Sequence, residues 1–450
     1  MAIGTAFGVL TPALAAAARH PNLVSGSAYL ASPANLVGGH FYESFPGYAD
    51  FGLTMDGAFA LAATGDDDKA LQGIADFLDS DGKDPSGSTV NDWTGIGTSS
   101  ASGGAVGKEA LLAEVVGANP RHFGGHNLIA ALNDLVCARA SRGTGGACAG
   151  AGNYAYATSV FDQALGIMAQ LRAGQVTQAA APVAYLQGLQ NSDGSFPSLI
   201  PDSGDQDVDS TAMAVMALAL APGARAAADV NSGMAWIAQR QEANGGFPSA
   251  AGESINSSAL AIQALTLKAG YYRRQISAAL SFLALEQNAD GGFRAYATGS
   301  RASNLRASTQ AVGGAVGTSF GTLYRHIDIK VAVGHTGQPS PSPVSSPSPA
   351  RVVTVTQPPV TVTVTVTARP SATKPAGAAP APSPEPTVSA PAARLAAAAS
   401  DTGLTTALWL AALIVAVAAT AVITLLLVRR RNLYPPADGP DGNPADVAGP

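Results

Sequence analysis

The apolar positions between Tyr185 and about Gly313 repeat one arrangement three times. Tyr185-Leu186, Gln190, Gly194 and Phe196 form the first copy, and Trp236-Ile237, Gln241, Gly245 and Phe247 the second. Phe282-Leu283, Gln287, Gly291 and Phe293 form the third. The phenylalanines lie 51 and then 46 residues apart, a period at which one supersecondary unit is being reused. After each Phe a polar loop leads into a second apolar run: Asp209–Leu218, Asn256–Leu265 and Arg306–Ala315, which align without gaps. A Ser or Thr at the head of an Ala/Leu-rich run is a helix-start signal, because its hydroxyl satisfies an orphan amide. Each unit therefore predicts a helix, a tight turn in which Gly takes a positive φ, and a second helix.

Weaker copies occupy residues 27 to about 155. The segment from Asp50 to Leu61 aligns without a gap on the segment from Asp207 to Leu218, so that Asp50 matches Asp207 and Thr54 matches Thr211. Further helical runs fall at about 68–78, 107–116, 127–139 and 158–171, with Thr158 in the slot of Thr211. The count comes to about six hairpins, and a closed ring of them leaves no uncapped repeat face.

Outside the repeats the composition changes. Residues 327–403 are rich in Pro, Ser, Thr, Val and Ala and are expected to form a disordered, semi-rigid stalk. Residues 404–428 carry no charge over about 25 residues, enough for a tilted membrane helix. Arg429-Arg430-Arg431 follows, so the positive-inside rule places the tail, 429–450, in the cytoplasm and the repeats outside the cell. At the other end a secretory signal segment is expected within 1–26, since the apolar start ends in Ala-Leu-Ala-Ala-Ala-Ala. Export sets the reading of the two cysteines. Cys137 and Cys148 are an isolated pair in an oxidising compartment and are expected to form one disulfide, worth about 3 kcal/mol in the chain-entropy model. The pair is too small for a zinc site, and His122 and His126 are separated by two turn-forming glycines, so no metal is expected. The net charge of −6, with no basic cluster apart from the three arginines, argues against a nucleic-acid partner.

The triple Gln–Gly–Phe pattern resembles the QW repeat of the terpenoid cyclase, protein prenyltransferase and squalene cyclase superfamily, with Phe where many members have Trp. The resemblance implies an all-α fold: an α/α toroid, with an inner and an outer ring of helices around a cavity, over residues 27–326. Within it Asp205-Gln-Asp207-Val-Asp209-Ser210-Thr211-Ala212 resembles the Asp-x-Asp-Asp-Thr-Ala motif of class II terpene cyclases, whose middle Asp protonates an alkene or epoxide. On that reading Asp209 is the acid and Asp207 its partner, with clustered carboxylates raising one another's pKa. Ser210 stands where the family has its last Asp.

Two other branches bear on function. Toroid glycoside hydrolases use two carboxylates, but no signature pairs Asp56, Asp162 and Asp209. The exported cobalamin carriers are similar toroids that bind without turnover, with inner helices opening on Asp-Thr and small residues. The chain shows no lid-like β domain of the kind found in such carriers; the stalk begins where it would be expected. The leading expectation is a membrane-anchored surface protein that captures a bulky small ligand, with cobalamin as one candidate, without a cofactor, and passes it to a membrane transporter. A class II cyclase-type enzyme is the alternative, and a structural or adhesive surface domain a third reading. In a toroid, equivalent helix starts gather at one end of the cavity. The expected ligand site is therefore Thr54, Asp56, Thr158, Asp209, Thr211, Asn256, Ser258, Arg306 and Ser308, where helix N-termini offer spare amides.

Overall fold

The computed structural model describes residues 19–141, 147–201, 203–249 and 252–328. Most of the expected signal segment, the stalk, the membrane helix and the tail lie outside the described residues. Among the described residues no helix is long and apolar enough to cross a membrane.

The chain alternates between two rings of helices. Helix α1 (Leu23–Ala31) is outer and α2 (Phe51–Thr64) inner; α3 (Asp68–Asp79) is outer and, after the single turn α4 (Val90–Thr94), α5 (Gly103–Val115) is inner. The same alternation continues through α6 (Leu128–Asp134) and α7 (Val160–Arg172), α8 (Ala180–Gly188) and α9 (Val208–Leu218). It ends with α10 (Ala224–Gln239) and α11 (Ile255–Thr266), then α12 (Arg273–Glu286) and α13 (Leu305–Val316). The inner helices touch in the order α2, α5, α7, α9, α11, α13, and α13 returns to α2, so six hairpins close one α/α toroid. The polar loops before three inner helices are short antiparallel hairpins: β1 (Glu43–Phe45) with β2 (Tyr48–Ala49), β3 (Pro197–Leu199) with β4 (Ser203–Gln206), and β5 (Phe247–Ser249) with β6 (Gly252–Ser254).

Five inner helices start in the same way. Asp50, Ser159, Asp207, Ser254 and Asn304 are N-caps whose side chains accept the N–H of the third residue on, at 2.8, 3.1, 2.6, 3.3 and 2.9 Å. The inner helices are Ala- and Gly-rich because they are crowded on all sides. A Cβ on Gly107 would meet the Gly166 backbone at 2.7 Å, and one on Gly104 would meet Asp162 at 2.5 Å. Small residues let the ring close at that spacing.

The Gln–Gly–Phe turns join neighbouring hairpins of the outer ring. Gln190 Nε2 donates to its own turn at Gly194 O and to Asp229 O on α10; Gln241 does the same to Gly245 O and Gln275 O on α12. Gln287 donates to Gly291 O and to Asn22 O, and accepts from Asn22 N, which ties the last repeat to the first helix. The toroid therefore begins before residue 27: the cap of α1 at Asn22 belongs to the ring. Gly152-Asn153-Tyr154 is a further copy of the turn, with Gly152 at φ 87° and Tyr154 fully buried. It lies between the disulfide and α7, and Cys137 and Cys148 are bonded, with Cα atoms 5.8 Å apart.

One end of the ring is sealed. After α13 the chain crosses the C-terminal ends of the inner helices. Arg172 Nη1 donates to the carbonyls of Phe320, Gly321 and Leu323, and Arg325 N and Ile327 N donate to Val115 O and Val116 O. Phe320 meets Phe59 edge-on at 5.3 Å. The other end, where the inner helices begin, is open.

Candidate functional site at the open mouth

The second residue after each inner-helix cap faces the mouth. Gly52, Gly104, Phe161 and Arg306 line one cavity of about 420 Å³, together with Asp50, Trp93, Lys108, Asp162 and Leu165. Asp209 holds the same position on α9 and opens on a second cavity of about 790 Å³. That cavity lies between the β3–β4 and β5–β6 hairpins. Ser198, Asp205, Asp207, Trp236, Arg240, Ser249, Ser257 and Tyr296 surround it. Asn256 holds the equivalent position on α11 and is half-buried.

Asp209 is the group in this mouth with the clearest chemical potential. Its Oδ1 is sealed from solvent and has no hydrogen-bond partner, while the rest of the carboxyl keeps some exposure through the cavity. Burial pushes its pKa up to about 6, the Ser257 hydroxyl holds the rise back, and the Asp207 charge adds to it. Ser257 Oγ lies beside the acid but stops short of a hydrogen bond of ordinary geometry. The sequence expectation that clustered carboxylates set this pKa is corrected here: desolvation is the larger cause. Asp207 is also no free partner. Its carboxylate caps α9 through Ser210 N at 2.6 Å. Its own pKa is raised by burial, an effect those capping bonds oppose.

The expected hydroxyls go elsewhere. Thr54, Thr211, Ser258 and Ser308 are buried four residues after their caps. Each donates back to the cap carbonyl, at 2.7, 2.8, 2.8 and 2.7 Å. Each also accepts a turn amide, from Tyr42, Phe196, Phe247 and Phe293, at 3.0, 3.1, 2.9 and 2.8 Å. They clasp the Gly–x–aromatic turn to the start of the inner helix, and none faces the cavities. Thr158 is not in their slot. It is exposed ahead of α7, and the equivalent residue is Gln163, whose Oε1 accepts Tyr154 N at 3.0 Å. Of the nine expected ligand residues, Asp209 and Arg306 line the mouth cavities and Asn256 shares their helical position.

A turn deeper, Asp56 pairs with Lys108 at 2.6 Å, both nearly buried. Lys108 and Leu165 line the smaller cavity, and Met213 and Leu260 are buried at the same position on α9 and α11. At the rim Arg306 pairs with Asp50 at 2.8 Å. In the larger cavity the Arg240 guanidinium stacks 4.6 Å above Trp236, whose indole N–H donates to Asp193 at 3.1 Å. Among the described residues no group of His, Cys, Asp and Glu side chains is placed to hold a metal ion.

Residues 125–296 match the family model of the prenyltransferase alpha-alpha toroid domain. That stretch of the ring is similar to the prenyltransferase-type toroid. Solved structures are similar to the chain at low identity. A variant of the type II terpene cyclase MstE from Scytonema, in complex with geranylgeranyl dihydroxybenzoate, is 16% identical over 65% of this chain and 95% of that one, with a TM-score of 0.47. A polysaccharide lyase is 10% identical and a glycosidase 17%, each over the same shares and each with a TM-score of 0.45. Likeness at this level carries no inference about activity. No curated protein sequence matches the chain.

Several mouth residues of the toroid escaped the sequence reading. Trp236 reads as a structural aromatic of the second repeat and is 5% exposed, yet its edge reaches the larger cavity. Ser257 was visible as the residue ahead of Ser258. Arg240, Tyr296, Lys108 and Trp93 carry no local signal, since their places depend on which loops meet at the rim.

Proposed function

We propose that the open mouth is the active site of an enzyme in which Asp209 donates a proton, in the manner of a class II terpene cyclase. One observation carries this reading: a carboxyl in the first helical turn, with one oxygen sealed and unpartnered and a pKa near 6, opens on a cavity large enough for a bulky substrate. About a tenth of such a group is protonated at pH 7, and that fraction is the working acid. The Asp209 proton adds to an alkene carbon or an epoxide oxygen, and the electron pair of the O–H bond stays on the carboxylate. Positive charge then develops on the substrate, beside Tyr296 and the Asp207 carboxylate. Loss of a proton to a base ends the sequence, so an alkene substrate is isomerised overall. Arg240, fixed on Trp236, suits a polar or anionic substrate end.

One observation favours a second reading, capture without turnover. Lys108, which pairs with Asp56, and Leu165 line the smaller cavity about a turn below the rim, and Ser198, Asp205, Asp207, Arg240 and Ser257 share the lining of the larger one with Trp236 and Tyr296. Asp209→Asn separates the two. A cyclase variant should lose nearly all turnover of linear isoprenoid diphosphates or epoxides, read by mass spectrometry of products, while still binding them. A binding protein shows no product in either form and loses affinity by about 1–3 kcal/mol. Absence of product from the unmodified protein across both substrate classes sinks the enzyme reading. Display of the toroid outside the cell on the 404–428 segment, and delivery to a transporter, remain proposals. Protease added to intact cells should release the toroid, and protection of it would refute that placement.

A further inference from the structure

The sealed end of the toroid carries a basic patch drawn from one short stretch of the chain, Lys268 to Arg274. The link between α11 and α12 turns tightly, with Tyr271 N and Tyr272 N both donating to Lys268 O. This groups the exposed Lys268, Arg273 and Arg274 around Tyr271, which is 81% exposed and stands edge-on against the buried Tyr272 at 4.8 Å. No acidic residue occurs between Glu253 and Glu286, in a chain whose net charge is −6. None of the three cations forms an ion pair among the described residues; Lys268 Nζ only meets the Asn231 amide oxygen. The placement also opposes local stability. Arg273 and Arg274 open α12, which has neither a side-chain cap nor an acidic residue in its first turn, so two guanidinium groups face the positive end of the helix dipole. Helix stability does not account for them.

Two further facts point to what lies opposite. Ile327 N donates to Val116 O at this same sealed end, so the last described residue, Asp328, lies there and not at the mouth, and the chain from 329 on follows it in sequence. That remaining chain contains the uncharged run 404–428 and Arg429-Arg430-Arg431. An exposed tyrosine ringed by unpaired cations is the side-chain set that suits a headgroup layer.

We propose that the sealed end, through Lys268, Tyr271, Arg273 and Arg274, docks on an anionic phospholipid surface and leaves the mouth facing away from it. The proposal stands whether the mouth catalyses or only binds. Each cation held near an anionic bilayer is worth about fivefold in surface affinity, so the three together are worth roughly a hundredfold.

The test uses the full chain reconstituted into vesicles of phosphatidylcholine alone or with phosphatidylglycerol. Tyr271→Cys supplies a single free thiol, since Cys137 and Cys148 are bonded, and carries an environment-sensitive fluorophore. The expected result is a blue shift in the anionic vesicles only, reversed by raised salt, and reduced about tenfold or more in apparent affinity by Arg273→Glu with Arg274→Glu. A label at Phe45→Cys, on the mouth hairpin, should not respond. Equal spectra in neutral and anionic vesicles, or a shift that salt does not reverse, would overturn the proposal whatever the variants do. A shift produced by soluble polyphosphate but not by anionic vesicles would also overturn it, and would assign the patch to a polyanion.

Discussion

Closure of the ring between its last and first repeats rests on a contact that one methyl group should break. Gly291 has φ 91°, and a Cβ there would lie 2.1 Å from Ser25 O and 2.6 Å from Ser25 C. Both atoms are backbone of α1 and cannot swing aside. Gly299 has nearly the same φ, 90°, but nothing within 4 Å of a Cβ. Ala at Gly299 therefore costs only the left-handed backbone strain, about 1 kcal/mol. Ala at Gly291 carries that strain and must also displace α1, adding about 2–3 kcal/mol by analogy with overpacked cores. Displacement of α1 also strains the two hydrogen bonds between Gln287 and Asn22, at 2.7 and 2.8 Å. Urea unfolding should separate the variants by about 2–3 kcal/mol, or roughly 3–5 °C in Tm for a domain of this size. Limited proteolysis should cut near α1 sooner in Gly291→Ala than in Gly299→Ala. Equal destabilisation of the two, with α1 equally protected, would show that the ring does not depend on this approach.

Glu109 is fully buried on α5 with both oxygens unpartnered, and burial, with a smaller contribution from Asp81 and Asp79, pushes its pKa up to about 8. Its folded pKa lies above its unfolded one, so its neutral form supports the fold below about pH 4.5 and that support is lost as pH rises through 8. Glu109→Gln should flatten the fall in stability over this window and stabilise the protein at pH 8 by on the order of 2–4 kcal/mol; a variant less stable at pH 8 would mean the carboxylate is ionised and paired. Phe247 is fully buried and held through its amide by Ser258, so Phe247→Ala should cost about 3–5 kcal/mol in denaturant melts while leaving ligand affinity intact; a variant with unchanged stability and lost binding would place Phe247 in the site.

Much of the ring was legible in the chain because its signals are local. A turn that needs positive φ selects Gly at positions 194, 245 and 291, and a helix start selects a capping side chain. The ungapped match of Asp50 to Asp207 correctly aligned two such caps. Pairing of Cys137 with Cys148 followed from their number and the expected compartment. The tertiary structure decided the rest, because a side chain's direction on a helix changes by about 100° per residue and its surroundings come from distant segments. Thr211, Ser258 and Ser308 look like rim hydroxyls in sequence, but at four residues past the cap they turn to the turn amides, and the mouth cavities are lined by Asp209 and Arg306. Thr158 misled because it lies five residues ahead of the equivalent position, outside the helix, and the role falls to Gln163. Gln287 reads the same as Gln190 and Gln241, yet its second partner is Asn22, which only ring closure brings near. The acidity of Asp209 was likewise a property of the fold: its motif named the residue, but the protein packed around it, more than the neighbouring carboxylate, raises its pKa.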